Sequence, residues 1–395
     1  MSTHAEEIGA FQLSSLDPAD PSFTPLLYRQ REETFLGRTV QLRHGSYLKK
    51  FNKKITLDAQ TSIDGESALS IDNMMHQYGL TGCIVVRGDT IHLEEYRHGN
   101  TPASRNDIQS ITKSFTTTAL AIAQQEGRLS VNDPVSLHVE ELADTVWADV
   151  PLSALASMSS GVVEPSDDPR PADIPNPMFA TKLYPSSDEN AVLNWLKTFK
   201  KVAEPWEEFH YYNPNFYVMS LAISRAVQQP LQDFISSRIW EPAGMQYDGY
   251  IRTTSAGQVD GHGGLSITLS DMARFGRFVL DAVDGGKGGA PVPHSWFSDI
   301  SSAKNSTGAR APGANDSLPG FGYEAGWWTP DKSHALASEG GFAAIGMYGQ
   351  AIYILPKLDA IIAVQSGNPD HSSEPLTRNI ELATTIVRML KAETS

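Results

Sequence analysis

Residues 110–127 read SITKSFTTTALAIAQQEG, and the organisation of the chain builds outward from them. Ile111, Phe115, Ala119, Ile122 and Ala123 recur at helical spacing on one face, and Gly127 is a suitable stop just past the helix end. Ser110 and Lys113 then lie one turn apart on adjoining rows, where a hydroxyl and an amine can meet. A helix N-terminus adds positive potential and free backbone N–H groups beside the serine oxygen. Such a serine becomes a nucleophile if Lys113 is desolvated enough to be neutral and accept its proton. The same spacing also suits a capping serine beside a solvated lysine. Ser46–Lys49 and Ser301–Lys304 repeat the spacing, but the first sits in a basic unpatterned arm and the second in a polar loop.

On either side of this helix the periodicity is that of strands. Gly82–Val86 and Ile91–Tyr96 flank the turn Arg87-Gly88-Asp89-Thr90, a hairpin pattern. Near the C-terminus Ala351–Leu355 and Ala360–Val364 form a second pair, and Leu376, Ile380, Ala383, Val387 and Leu390 mark an amphipathic helix. Between them, 191–199, 216–227 and 231–240 have helical spacing. The expected fold is therefore α/β (α+β): an antiparallel sheet flanked by helices and assembled from both ends of the chain, with an all-helical domain inserted. The boundaries read as an arm over 1–62, a split α/β domain over 63–127 and 251–395, and a helical domain over 128–250. The glycine-rich run from Asp284 has Gly288 where a phosphate loop needs Ser or Thr after Lys287, and reads as a surface turn.

The 395 residues carry a formal charge of −15, with 31 Lys plus Arg against 46 Asp plus Glu. That balance argues against nucleic acid and anionic membrane surfaces as partners. The single cysteine, Cys83, excludes an internal disulfide and a cysteine-rich zinc site, and reads as a buried strand thiol. No apolar run approaches the roughly 20 residues of a membrane span. MSTHAEEIGAFQLSS lacks the features of a secretory signal, so a cytoplasmic location is expected.

Tyr211-Tyr212-Asn213 is the chain's one Tyr-x-Asn and stands just before an expected helix. A phenol near a lysine can relay protons between nucleophile and leaving group, and an asparagine amide can bond both lysine and substrate carbonyl. An aromatic packing cluster with Phe209, Tyr212, Phe216 and Tyr217 is the alternative. His262, flanked by glycines, is a candidate pocket residue. Trp327 and Trp328 are candidate pocket walls, with core packing an equal alternative for one of them. His210 has no partner at the spacing of a helical metal site, and no metal or cofactor is expected.

Ser110-x-x-Lys113 opening a helix, followed by Tyr211-x-Asn213, resembles the serine β-lactamase and D-Ala-D-Ala peptidase superfamily. Leu155–Gly161 (LASMSSG), Ile239–Met245 (IWEPAGM) and Gly263–Gly276 (GGLSITLSDMARFG) resemble further motifs of that group, in the same order. The resemblance spans about residues 75–390. Phe209-x-Tyr211, Trp327-Trp328 and Gly346–Gln350 are most similar to the branch containing 6-aminohexanoate-dimer hydrolase and the family VIII carboxylesterases, which act on small linear amides and esters.

The resemblance implies Ser110 as nucleophile, Lys113 and Tyr211 as proton carriers, and Asn213 as a partner of lysine and substrate. It leaves open which of Lys113 and Tyr211 is the formal base. It further implies an oxyanion hole from the N–H groups of Ser110 and Met347, with Tyr348 beside it. In the third motif a Lys or His is usual; Gly346-Met347-Tyr348-Gly349 has none, which argues against substrates held by a free carboxylate. Glu164 is a candidate for activating the deacylating water, with a solvated loop glutamate as the alternative. A hydrolase of a small amide or ester is the first expectation. An acyltransferase on the same scaffold and a non-catalytic binding protein are the others. A small-molecule substrate is the expected partner, and a homodimer is compatible with the sequence.

Overall fold

The structure is a computed structural model. It describes residues 28–29, 38–60, 70–164, 190–254, 256–285, 291–302, 318–368, 370 and 374–393. Most of the expected arm, the Pro-rich stretch 167–177, Lys304 and the glycine run 286–290 lie outside the described residues.

The strands are β1 (Arg38–Leu42), β2 (Asn52–Lys53), β3 (Leu80–Arg87), β4 (Thr90–Tyr96), β5 (Arg105–Asp107), β6 (Val162–Val163), β7 (Lys200–Lys201), β8 (Gly249–Thr253), β9 (Leu265–Thr268), β10 (Phe321–Glu324), β11 (Trp327–Pro330), β12 (Phe342–Gly346), β13 (Gln350–Leu355) and β14 (Ala360–Ser366). The α-helices are α1 (Ile71–Gln77), α2 (Thr112–Gln125), α3 (Val135–His138), α4 (Leu152–Ala156), α5 (Ala191–Leu196), α6 (Asn213–Val227), α7 (Leu231–Ile235), α8 (Leu269–Val283), α9 (His294–Ser302) and α10 (Glu374–Ala392).

An eight-stranded sheet in the order β10-β11-β12-β13-β14-β3-β4-β2 draws strands from both sides of the helical stretch. Its neighbours are antiparallel except the β2–β4 edge pair. Every residue of β13 and β14 is buried, so these strands need cover on both faces. Helix α8 packs across β3, β13 and β14, close enough that a Cβ on Gly276 would meet Ile361 Cγ2 at 2.5 Å, while α10 packs on β13 and on α1. A second antiparallel sheet, β1-β8-β9-β5, carries the chain into the reactive turn at one end and into α8 at the other. The described part of the arm thus adds an edge strand to each sheet. Its short polar strands carry too little alternation for the sequence to mark them.

The 110–127 helix differs from its expectation in two ways. Ser110 sits in a 3-10 turn, Gln109–Ile111, that runs into α2, and residues Thr112–Ala123 are buried on all sides rather than along one face. The polar ring of the helix is accommodated by hydroxyls that donate to carbonyls: Thr118 Oγ1 to Ser114 O at 2.7 Å, Thr116 Oγ1 to Gly261 O at 2.7 Å, and Ser114 Oγ to Gly326 O at 2.8 Å. Phe115 stacks on Phe275 of α8 and lies against Trp240. Gly127 takes a positive φ of 66°, as a helix stop requires.

The motif in α8 has a structural reason. Thr268 Oγ1 caps the helix by accepting from Asp271 N at 3.2 Å. The Asp271 carboxylate accepts from the backbone N–H groups of Gln246 and Tyr247 at 2.7 and 3.1 Å and pairs with Arg274 at 2.9 Å. This ties the segment after Met245 to the helix that supports the sheet.

The turn between β10 and β11 is wedged between helices. Gly326 N–H donates to Ala156 O at 3.0 Å, and Ala325 N–H donates to Ser157 Oγ at 3.2 Å. Gly326 has φ +86°, and a Cβ there would fall 2.5 Å from Thr117 Oγ1. Gly326→Ala is therefore expected to destabilise the fold by about 2–4 kcal/mol, combining left-handed strain with overpacking against α2. A denaturant melt checks this.

Candidate active site

The turn that presents Ser110 is held from both sides. Gln109 adopts φ +52°, and its N–H donates to Asp107 Oδ1 at 2.8 Å, so the chain turns sharply between β5 and α2. Thr112 Oγ1 closes the turn from the other side, donating to Gln109 O at 2.7 Å and accepting from Leu265 N at 3.2 Å. The end of β12 presses against it: a Cβ on Gly346 would lie 2.4 Å from Ile108 O, so only glycine allows this approach. The turn Met347–Gly349 follows at once, with Tyr348 at φ 64° and its ring 4.8 Å from that of Tyr28. Met347 and Tyr348 thus stand beside the Ser110 turn.

Lys113 is 1 % exposed. Its Nζ lies 3.0 Å from Ser110 Oγ and donates to His262 O at 2.7 Å. The rings of Tyr211 and Phe216 flank it, with Nζ 4.9 and 5.7 Å from their centroids. Burial disfavours the cation and pulls the Lys113 pKa from 10.5 down to about 7; the Asp260 carboxylate opposes that fall and Arg252 adds to it. Burial pushes the Tyr211 phenol upward against a smaller opposing effect of the Ser110 side chain, so it stays protonated at neutral pH. Serine, lysine and tyrosine therefore converge from α2 and from the segment preceding α6.

The LASMSSG segment explains how Tyr211 is placed. Met158 takes φ +57°; its carbonyl accepts from His210 N at 2.8 Å and its sulfur from Tyr212 N at 3.2 Å. Trp206 N–H donates to Ser159 O at 2.8 Å, and Ser160 Oγ donates to Asn215 Oδ1 at 2.8 Å. Gly161 (φ +69°) lets Ala203 pass so closely that a Cβ would fall 2.1 Å from its carbonyl oxygen. The 206–212 strip is held at intervals along its length.

Strand alternation separates the two tryptophans. Trp328 stacks on Tyr211, centroids 5.8 Å apart at 13°, with Tyr323 4.9 Å from it and Phe209 at 6.4 Å. Trp327 points to the opposite face of β11 and is fully buried against Phe275, Phe297 and Phe342. The expectation of Trp327 as a pocket wall is corrected: it is core, and Trp328 lies beside Tyr211. Glu164 is not a solvated loop residue, since its carboxylate accepts from Trp195 Nε1 at 2.8 Å and its N–H donates to Tyr212 Oη at 2.8 Å. Asn213 opens α6, and its Oδ1 is buried without a hydrogen-bond partner among the described residues. His262 contributes its carbonyl; burial lowers its imidazole pKa to about 3, so the ring is neutral. Cys83 is a buried free thiol whose pKa burial raises to about 12.

Among the described residues no group of His, Cys, Asp and Glu is arranged to hold a metal, and no helix is long and apolar enough to cross a membrane. A cavity of about 270 Å³ lined by Gln124, Trp206, Trp296 and Ala325 lies near the far end of α2 and is separate from the Ser110 turn. Sequence reasoning missed Asp260 and Arg252. Their pairing depends on the β8–β9 hairpin, which has no turn signature strong enough to mark it.

An antiparallel sheet backed by helices, with helices packed over the Ser110 end of α2, defines the β-lactamase-like class of fold. The chain belongs to the beta-lactamase family, whose model matches residues 70–384. It is 25 % identical over 295 residues to the 6-aminohexanoate-dimer hydrolase of Paenarthrobacter ureafaciens, covering 73 % of this chain and 72 % of that one. In structure it is similar to a Bacillus anthracis protein assigned as a 6-aminohexanoate-dimer hydrolase, with TM-score 0.78, 22 % identity and coverage of 95 % of this chain and 96 % of the other. It is also similar to EstCE1, described as a hydrolase with promiscuous acyltransferase activity, with TM-score 0.62, 14 % identity and coverage of 79 % and 96 %.

Proposed function

We propose that the protein hydrolyses small linear amides or esters through an acyl-enzyme on Ser110. The observation that carries this reading is the 3.0 Å contact between Ser110 Oγ and a lysine amine that burial brings to a pKa of about 7. So lowered, the lysine reaches its neutral form near neutral pH, and the neutral amine accepts the serine proton along the same contact. Ser110 attacks the carbonyl carbon, and the oxyanion forms between the N–H groups of Ser110 and Met347. Tyr211, whose ring flanks the amine, relays the proton taken up by Lys113 to the leaving nitrogen or oxygen and ends the step as the phenol. Water then attacks the acyl-enzyme and frees the acid.

The choice of linear amides and esters over carboxylate-anchored lactams rests on the turn Met347–Gly349, which carries no cation. The name of the Paenarthrobacter relative supports an ω-amino amide as a substrate to try. The test is a pre-steady-state assay with p-nitrophenyl butyrate and a 6-aminohexanoate amide. A burst of one p-nitrophenol per enzyme, followed by steady hydrolysis of ester and amide, is expected. Turnover of penicillins with neither ester nor amide cleaved, or acyl groups passing only to an added alcohol, would overturn the reading.

A further inference from the structure

We infer that Asp260 and Arg252 are positioning residues that hold the acceptor of Lys113 and set, with opposite signs, the pH at which the lysine works. The inference rests on the Ser110–Lys113 reading above and concerns groups that hydrogen-bond to neither Ser110 nor Lys113.

The geometry begins with the loop Val259–Gly264 (VDGHGG), which joins β8 to β9. Its ends are clamped to two helices, one the bearer of Lys113: Thr116 Oγ1 of α2 donates to Gly261 O at 2.7 Å, and Ser220 Oγ of α6 donates to Val259 O at 2.8 Å. Gly261 has φ +67° and passes so near α6 that a Cβ would lie 3.0 Å from Ser220 Cβ, a path that favours glycine. Inside the loop Asp260 is fully buried. One carboxylate oxygen accepts from the His262 and Gly263 N–H groups at 3.3 and 3.4 Å; the other accepts from Arg252 Nε at 2.7 Å and lies 3.6 Å from His262 Nε2. His262 is therefore held through its own backbone by Asp260, and its carbonyl is the group to which Lys113 Nζ donates at 2.7 Å. A carboxylate and a guanidinium thus sit one residue layer beneath the amine.

A buried ion pair is an expensive way to hold a loop, because both charges lose water and the pair repays this only partly. The hydroxyls of Thr116 and Ser220 already hold this backbone in place. What a neutral loop would not supply is a field at Lys113. Among the described residues, the charged and titratable groups that bear on the amine are few. From its own turn there is Ser110, from the strip before α6 there is Tyr211, and from the loop and β8 there are His262, Asp260 and Arg252. The His262 ring is neutral and the Tyr211 phenol protonated near pH 7, so the two fixed charges are Asp260 and Arg252. The first favours the ammonium and the second the free amine.

The signs follow. Lys113 acts as the neutral amine, so acylation falls as pH drops below its pKa. Asp260→Asn removes the negative charge while keeping an acceptor oxygen for the loop N–H groups. The acid limb of kcat/KM for p-nitrophenyl butyrate is expected to move down by about one pH unit. Arg252→Met removes the positive charge, and the limb is expected to move up by about one unit. Arg252→Lys keeps the charge and should leave the limb within a few tenths of wild type. Rates are normalised to active sites counted by the burst, so the limb position does not depend on how much protein folds. Either single variant reads its own sign if the other cannot be recovered. A purely structural role lowers the amplitude and leaves the limb in place; unmoved limbs in both variants, or shifts in the same direction, overturn the inference. A wild-type enzyme with no burst and no acid limb instead overturns the Ser110–Lys113 reading itself.

Discussion

Ser110→Ala is expected to lower kcat/KM for p-nitrophenyl butyrate by at least about 10⁴-fold and to abolish the burst. Removing the nucleophile of a covalent mechanism forfeits the whole two-step route, and the variant retains only what the oxyanion site and binding provide. The substitution removes one oxygen from a turn whose geometry is fixed by the Asp107 carboxylate and the Thr112 hydroxyl on the Gln109 and Leu265 backbone. The variant should therefore melt within a few degrees of wild type. A residual rate within tenfold of wild type would mean that another group attacks.

Lys113→Met is the second large effect, expected at about 10³–10⁴-fold in acylation, the range for loss of a positioned proton acceptor. Methionine fills a similar apolar channel between Tyr211 and Phe216. The wild-type rate should rise through pH 7 as the amine loses its proton, and in the variant that limb should vanish. Stability carries the same signature. In the unfolded chain Lys113 holds its proton up to about pH 10.5, whereas in the fold it releases it near 7. The unfolded state therefore binds more protons across that window, and the stability of wild type relative to Lys113→Met should increase with pH between about 7 and 10.5. Urea melts at pH 7 and 9.5 read this directly; a relative stability that does not change with pH would place the lysine in solvent.

The parts of this arrangement that were legible in the sequence are those written in local spacing. One helical turn sets Ser110 against Lys113, apolar runs about short turns set β3 against β4 and β13 against β14, and a three-to-four-residue repeat sets α10. What stayed hidden depends on which element packs against which. Trp327 and Trp328 are adjacent, and choosing between core and pocket required knowing which face of β11 meets α8 and α9. The helix after Ser110 showed one apolar face because threonine counts as polar in a pattern. Its hydroxyls donate to carbonyls of the helix and of the loops that pack on it, so the helix is buried all round. Asp260 and Arg252 lie eight positions apart and meet only through the β8–β9 hairpin. Glu164 read as a loop acid until Trp195 and Tyr212 supplied its partners.

In the proposed mechanism Ser110 is the group that becomes acylated. Incubating the protein with a fluorophosphonate probe and locating the adduct by peptide mass spectrometry tests this most directly. One adduct per chain on Ser110 is predicted, with labelling suppressed in Lys113→Met and slowed below pH 7 in the wild type. Stoichiometric labelling on any other residue, or none on a protein that turns over esters, would contradict it.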